Sequence, residues 1–171
     1  MAERQGQAAP DAVLTRIGQV VMLHHAGDRE EARHRFLGLW AEIGEHGDPL
    51  HRCTLAHYLA DTQDDLEHEL AWDLRALTAA EEAAEDRPDA YGCSVAVRAL
   101  YPSLHLNLAD DYARLGRPDA ARAHLRRARG AARTLADDRY GEGVRAAIRR
   151  LEIRLGEDGA SGGWGPPRQR P

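Results

Sequence analysis

Apolar residues recur every three or four positions along most of the chain, a spacing that predicts amphipathic α-helices. Gly, Asp and Pro punctuate the boundaries between these stretches and predict short turns. The pattern therefore predicts an all-α chain in which helix, turn and helix repeat about three times before one further helix. The predicted helices cover residues 11–26, 29–46, 49–62, 65–84, 102–115, 118–134 and 138–155.

Three parts of the chain depart from this periodicity. Residues 1–10 are polar and predict a flexible N-terminal arm, whereas residues 157–171 are rich in Gly and Pro and predict a disordered C-terminal tail. A proline and a glycine interrupt the pattern and predict an insertion loop at about residues 85–101, with room for one short helix. We therefore expect one helical domain over residues 11–156.

The stretch from residue 108 to residue 128 is the most informative. Its apolar positions stop at Gly116 and resume after Pro118, which predicts two short helices joined by a tight turn. Several of the periodic positions are alanines, and a small side chain lets the axes of two crossing helices approach to ~8 Å. A bulky side chain would wedge the helices apart. The alanines are therefore predicted contact points between helices.

This stretch resembles the signature of a tetratricopeptide repeat, with small residues where two helices cross and larger ones filling the gap. The residues that carry the resemblance are Leu108, Ala109, Tyr112, Leu115, Gly116, Ala121, Leu125 and Ala128. Residues 13–46 and a unit beginning at Pro49 are similar but degenerate, and Gln63 stands where a turn glycine is usual. The resemblance implies a bacterial protein with tetratricopeptide-like stacked helical hairpins, about three units plus a C-terminal capping helix, in a right-handed superhelix.

The resemblance also implies a concave groove, lined by the first helix of each unit, that holds a peptide or a helix of another protein. Helical spacing places polar residues of these helices opposite the buried positions. The implied groove residues are His24, His25, His57, Asp61, Asn107, Asp110 and Arg114. The function implied is a non-catalytic scaffold or adaptor; the alternative for these residues is a solvated face without a ligand. Some members clamp the terminal carboxylate of chaperones with lysine and asparagine, and Asn107 matches one such position, but this chain contains no lysine.

Charge is distributed unevenly along the chain. Residues 1–101 contain 19 acids and 9 arginines, whereas residues 102–171 contain 9 acids and 14 arginines. The acidic part favours a basic protein or peptide partner, or self-association, and argues against binding to nucleic acid. All 23 basic residues are arginines, which excludes the catalytic and phosphate-binding roles of lysine.

Other features of the sequence argue against a membrane span, a secretion signal and a metal or redox site formed by cysteines. No stretch approaches the ~18 consecutive apolar residues of a membrane span, and the N-terminus lacks the apolar core of a secretion signal. We therefore expect a cytoplasmic location and no membrane partner. Cys53 and Cys93 lack the spacing of zinc or redox motifs and are expected to be reduced thiols. No cofactor is predicted.

Two further functions stay open as alternatives. His57, Asp61 and His68 lie where two predicted helices meet, so their imidazole and carboxylate groups could converge on one cation. A metal-binding helical-bundle enzyme that uses His, Asp and Glu of residues 57–68 is therefore the second hypothesis. The third is a regulatory module of a signalling or transcription system.

Overall fold

The computed structural model describes residues 11–86 and 93–161, and within these two ranges the chain forms seven α-helices and no β-strand. This confirms the all-α prediction. The helices are α1 (Ala12–His25), α2 (Arg29–Ile43), α3 (Pro49–Asp61), α4 (Leu66–Asp86), α5 (Cys93–Arg114), α6 (Pro118–Ala132) and α7 (Arg139–Ser161).

Consecutive helices pack as stacked hairpins. Helix α1 pairs with α2, α3 with α4 and α5 with α6, and each pair contacts the next along the chain. The odd-numbered helices also contact one another in order, α1 with α3, α3 with α5 and α5 with α7. They form one layer, and the even-numbered helices form the other. This confirms the tetratricopeptide-like fold that the sequence predicts, with α7 packed against the last hairpin.

Two of the hairpin turns depend on a glycine with positive φ. Gly27 lies between α1 and α2 with φ 98°, and Gly116 lies between α5 and α6 with φ 71°. The residue after each glycine donates its backbone N–H to the carbonyl five residues earlier, at 3.3 and 2.8 Å respectively. Only glycine adopts this backbone without strain, so each glycine ends one helix and lets the chain reverse into the next.

Side chains close the turn between α3 and α4 instead. Gln63 stands in place of a glycine, and its Nε2 donates to the carbonyl of Leu59 at 2.9 Å. Arg29 and Arg33 of α2 reach across from the first hairpin and bind Asp64 in this turn, at 2.6 and 2.9 Å. The first hairpin therefore restrains the turn of the second, which lacks the glycine of the other two.

Alanines form the contact between α5 and α6, as the sequence predicts. Ala109 of α5 and Ala121 and Ala128 of α6 are each 0% exposed. All three lie in one apolar cluster, which α7 completes with Ile148 and Leu151. Because a methyl group is the smallest side chain after hydrogen, it permits a close approach of the two helix axes. The buried alanines confirm the predicted contact points.

The buried face of α4 differs from the predicted one. The sequence predicts a face of leucines spaced four and three apart, yet Leu74 is 39% exposed. Alanines complete the buried face and pack with Cys53 and Ala56 of α3. Small residues therefore also line this crossing, where the sequence pattern indicates leucines. The buried alanines of α4 are Ala76, Ala79, Ala80 and Ala83.

The predicted insertion loop at about residues 85–101 is wrong over most of its length, because α5 already begins at Cys93. Pro102 lies inside α5 and not at its start. A proline removes one backbone hydrogen bond from a helix. Val97 and Leu104 are buried on either side of it and anchor both parts of α5 in the core. Residues 87–92 lie outside the described residues.

The described residues cover the expected domain limits only in part. Helix α7 continues to Ser161, five residues past the predicted end at residue 156. The predicted flexible arm, residues 1–10, and residues 162–171 of the predicted disordered tail lie outside the described residues. The division into arm, domain and tail stays a prediction.

Replacing Ala121 by leucine is expected to lower the free energy of unfolding by about 1–3 kcal/mol, because the contact with α5 has no room for a larger side chain. Urea unfolding followed by circular dichroism measures the change. The matched control is Ala41→Leu at an exposed position of α2, which should change the free energy by less than about 0.5 kcal/mol. Equal effects of the two substitutions would contradict the close contact.

Candidate functional site

The predicted groove residues lie on the three odd-numbered helices that begin each hairpin. His24 and His25 are in the last turn of α1, and His57 and Asp61 are one turn apart on α3. Asn107, Asp110 and Arg114 follow at three- and four-residue spacing on α5, which places them on one face of that helix. We refer to the surface formed by these seven residues as the groove face.

The structure brings the α3 and α5 residues into contact. Asn107 Nδ2 and His57 Nδ1 lie 3.5 Å apart, at the limit of a hydrogen bond. His57 Nδ1 also lies 3.9 Å from Oδ1 of Asp73 on α4. His57 therefore connects three helices, α3, α4 and α5, at the centre of the groove face.

Ion pairs fix the other two α5 residues. Arg114 Nη1 donates to both carboxylate oxygens of Glu69 on α4, each at 2.9 Å. Asp110 accepts a hydrogen bond from Arg154 of α7. The α5 part of the groove face is consequently linked to the helices on both sides of it.

The α1 residues differ from each other. His24 is partly buried, and its electrostatic effect offsets a small part of the rise in the pKa of Asp61 that burial causes. Its Nδ1 is buried and has no hydrogen-bond partner in residues 11–86 and 93–161. His25 is exposed, with its ring centroid 5.8 Å from that of His24. His24 therefore belongs to the centre of the groove face and His25 to its margin.

Two buried carboxyl groups beneath the groove face were not predicted as site residues. Asp73 of α4 and Asp111 of α5 are each only 1% exposed. Asp73 Oδ1 and Asp111 Oδ2 have no hydrogen-bond partner within the part of the chain that the structure describes. The signal for Asp73 was present in the sequence, because it lies three residues after Leu70 and four before Leu77, on the apolar stripe of α4.

Burial and mutual repulsion perturb this pair. Burial raises the pKa of the Asp111 carboxyl well above its ordinary value of 3.8, and the negative charges of Asp73 and Glu69 raise it further. Arg114 only partly offsets these effects. A proton held between the two carboxyl groups removes one of two buried negative charges and satisfies an otherwise unpartnered oxygen. We therefore expect Asp111 to stay protonated near neutral pH.

The same carboxyl groups influence His57. Burial alone would lower the pKa of His57, but the adjacent carboxylate of Asp73 and the charge of Asp61 raise it above its ordinary value of 6.5. The imidazole is thus stabilised in its protonated form. It offsets part of the negative charge beneath the groove face.

Asp61 is the carboxyl group of the groove face that is accessible and unpaired. Its side chain is exposed, and it forms neither a hydrogen bond nor an ion pair with any described residue. Loss of water around it raises the pKa of Asp61, while His57 lowers it and Asp73 raises it. An exposed carboxylate among other acids, which no arginine of the described residues binds, is suited to receive a positive charge from outside the chain.

A second group of polar rings lies between α5 and α6. His105 Nδ1 and His124 Nδ1 are 3.1 Å apart, and the His124 ring also stacks on Tyr112. Burial, with the charges of His124 and Arg127, lowers the pKa of His105 to about 4. A neutral imidazole can stack and hydrogen-bond without repelling its neighbour, so this pair serves packing within the hairpin.

The weak metal candidates do not form a metal site in the described residues. In residues 11–86 and 93–161, no group of three or more His, Cys, Asp or Glu side chains is placed to hold a metal ion. His68 is exposed and lies near Asp65 on the same turn, 3.9 Å away. It therefore makes no common site with His57 and Asp61.

Comparison with known proteins supports the fold assignment. A family model described as tetratricopeptide repeat matches residues 102–127, which lie in α5, α6 and the turn between them. No curated protein and no solved structure matches the chain. These findings support a tetratricopeptide-like protein, and tetratricopeptide repeats are generally non-catalytic modules that bind proteins or peptides.

The Asp111→Asn variant is expected to be more stable than the wild type above neutral pH. The folded chain keeps a proton on Asp111 that the unfolded chain releases above pH 3.8, so the wild type loses stability as pH rises towards the raised pKa. Asparagine is a neutral mimic of the protonated acid and should remove this loss, a gain of about 1–2 kcal/mol at pH 8.

Urea unfolding of both proteins at pH 4, 6 and 8 measures the effect. The neighbouring Asp110→Asn is the control, because Asp110 is 39% exposed and bonded to Arg154; it should not gain stability at pH 8. A wild type and an Asp111→Asn variant with parallel pH dependence would contradict the shared proton.

Proposed function

We propose that this protein is a non-catalytic scaffold or adaptor that binds a basic segment of a partner protein on the groove face. The observation that carries the proposal is Asp61, an exposed carboxyl group with no ion pair in the described residues. It lies one turn from His57 on α3, within electrostatic reach of His24 of α1 and of Asp73 and Glu69 of α4. The tetratricopeptide-repeat match at residues 102–127 supports protein or peptide binding in general.

Charge on and beneath the groove face supports a basic partner. Its carboxyl groups come from three helices: Asp61, Glu69, Asp73, Asp110 and Asp111. Arg114 and Arg154 offset part of this charge through their pairs with Glu69 and Asp110. Asp61 is left without such a pair. A lysine or arginine of the partner would form an ion pair with Asp61, and the fixed network around Asp61 would need little rearrangement.

The same network gives little support to catalysis. Most of its acids are engaged by arginine or buried, and none is paired with a nucleophile. The free thiol of Cys53 is buried, and burial raises its pKa to about 12, which keeps it protonated and unreactive. We therefore propose binding without chemistry.

The expected surroundings of the protein stay part of the proposal. Among the described residues, no helix combines the length and the apolar character that crossing a membrane requires. We propose a bacterial cytoplasmic protein with neither a membrane nor a nucleic acid as partner. Self-association is a further proposal, motivated by the opposite net charges of residues 1–101 and 102–171.

Asp61→Asn is expected to weaken binding of basic peptides by about five-fold or more, because it removes an unpaired carboxylate from the described part of the groove face with almost no change of shape. Peptides are first selected from a random twelve-residue library on the wild-type protein, and their affinities are then measured by fluorescence anisotropy. The selected peptides should be enriched in lysine and arginine.

Glu81→Gln is the matched control. It removes the same charge from an exposed position of α4, twelve residues or about 18 Å along the helix from Glu69. Its affinities should stay within about two-fold of the wild type. Equal losses in both variants, or selected peptides without basic residues, would contradict the proposal.

A further inference from the structure

A channel lies between α6 and α7, lined by residues other than those of the groove face. Two cavities of about 590 and 270 Å³ form it, and they adjoin at Arg129 of α6 and Glu152 of α7, which form an ion pair of 3.4 Å between the two helices. The α7 residues that line it include Ile148 and Glu152, whereas Arg150 and Arg154 line the side of α7 that faces α5. The channel and the groove face therefore lie on different flanks of the last helix.

The floor of the channel is apolar. Leu125 and Ala132 of α6 line it from one side, and Ile148 and Leu155 of α7 line it from the other. Each of the four is no more than 5% exposed and belongs to the core cluster of the last hairpin. A ligand in the channel would thus meet a firm apolar base.

Arginines form the rim. Three of them recur on α6 at steps of four and three residues, and the C-cap residue Arg133 follows four residues later, which places all four on one side of the helix. Against six arginines, two carboxylates line the channel, Asp137 and Glu152. The rim is therefore strongly positive. Its arginines are Arg122, Arg126, Arg129, Arg133, Arg145 and Arg149.

Half of these arginines have no polar partner among the residues that the structure describes. Arg126, Arg133 and Arg149 are exposed and form no hydrogen bond or ion pair with any residue in the described ranges. Arg145, by contrast, is bound by Asp137 at 2.9 Å and by the carbonyl of Leu135 at 3.4 Å. The positive charge that is available to a ligand therefore comes from Arg126, Arg133 and Arg149.

We propose that this channel binds an acidic segment of a partner protein, in which carboxylates alternate with apolar side chains. The carboxylates would pair with Arg126, Arg133 and Arg149, and the apolar side chains would lie on the floor. From Arg122 to Arg133 the rim extends about 16 Å along α6, which accommodates about five residues of an extended chain. This proposal is independent of the groove face and adds a second partner chemistry to the proposed function.

Three features favour an acidic peptide over a nucleic acid or a second copy of the chain. No aromatic residue lines the channel in the described part of the chain, so bases of a nucleic acid would have no stacking platform. A phosphate backbone has no apolar side chains that could pack on the apolar floor. A recessed space between two helices also suits a slender segment better than the flat face of a second copy.

The triple variant Arg126→Gln, Arg133→Gln and Arg149→Gln tests the proposal, because these side chains form no hydrogen bond or ion pair with any described residue. The control is Arg98→Gln, Arg127→Gln and Arg139→Gln, which loses the same charge at exposed positions outside the channel. The probes are a fluorescein-labelled peptide of alternating Glu and Leu, its Gln and Leu counterpart, and a labelled ten-nucleotide poly-uridine. Circular dichroism and sedimentation velocity of each protein accompany the anisotropy titrations.

We expect the wild type to bind the acidic peptide, with affinity at least about ten-fold lower for the channel variant and within about two-fold for the control. Asp61→Asn should leave this affinity unchanged, so the experiments test the two proposed binding sites independently. Equal losses in the channel and control variants would overturn the proposal, as would equal binding of the neutral peptide. Tighter binding of poly-uridine, or an arginine-dependent dimer that the peptide does not displace, would also overturn it.

Discussion

The fold depends on the close contact of small side chains where paired helices cross. In the last hairpin Ala109 meets the α6 face that carries Ala121 and Ala128, and in the middle hairpin the alanines of α4 play the same part against α3. Methyl groups at these crossings let each hairpin close tightly. Because the pairs are narrow, the odd-numbered helices can form a layer of their own. The groove face exists because of that layer.

Polar contacts then connect neighbouring hairpins. Arg29 and Arg33 of the first hairpin hold the turn of the second, and Arg114 of the third binds Glu69 of the second. Beneath the groove face, burial raises the pKa of the Asp111 carboxyl and favours its protonated form. The stacking is thus accompanied by electrostatic links that a purely apolar interface would lack. They also give the groove face its acidic character.

The two proposed binding surfaces follow from where charges lie in space and not only from their order along the chain. Residues 102–171 carry a net positive charge, yet Asp110 of that part lies on the acidic groove face and Asp111 lies beneath it. The arginines of α6 and α7 face another direction and surround an apolar channel. One end of the chain therefore contributes to an acidic surface on one flank and to a basic one on another.

Much of the architecture could be predicted from the sequence, because helical periodicity and glycine turns are local signals. Gly27, Gly116 and the alanine at position 121 had their expected roles. The extent of α5 could not be predicted locally, since packing of Val97 and Leu104 outweighs the effect of Pro102. For α4, alanines and leucines both recur at helical spacing, and only the neighbouring helices decide which face is buried.

The candidate site was harder to predict from the sequence. The polar positions of the odd-numbered helices follow from spacing together with the family resemblance, and the contact between His57 and Asn107 joins two of them. Asp73 is different, because its role depends on Asp111, 38 residues away and on another helix. A buried polar residue on an apolar stripe is visible in the sequence, but its partner is known only once the helices are packed.

The most direct test of the account is a ¹H–¹⁵N correlation spectrum of the labelled protein during titration with a lysine-rich peptide. The account predicts that the largest shift changes cluster at the groove face, on α1, α3 and α5 around Asp61. Changes confined to α2, α4 and α6, or a spectrum unaffected at saturating peptide, would contradict the claim that stacked hairpins leave an acidic surface for a partner.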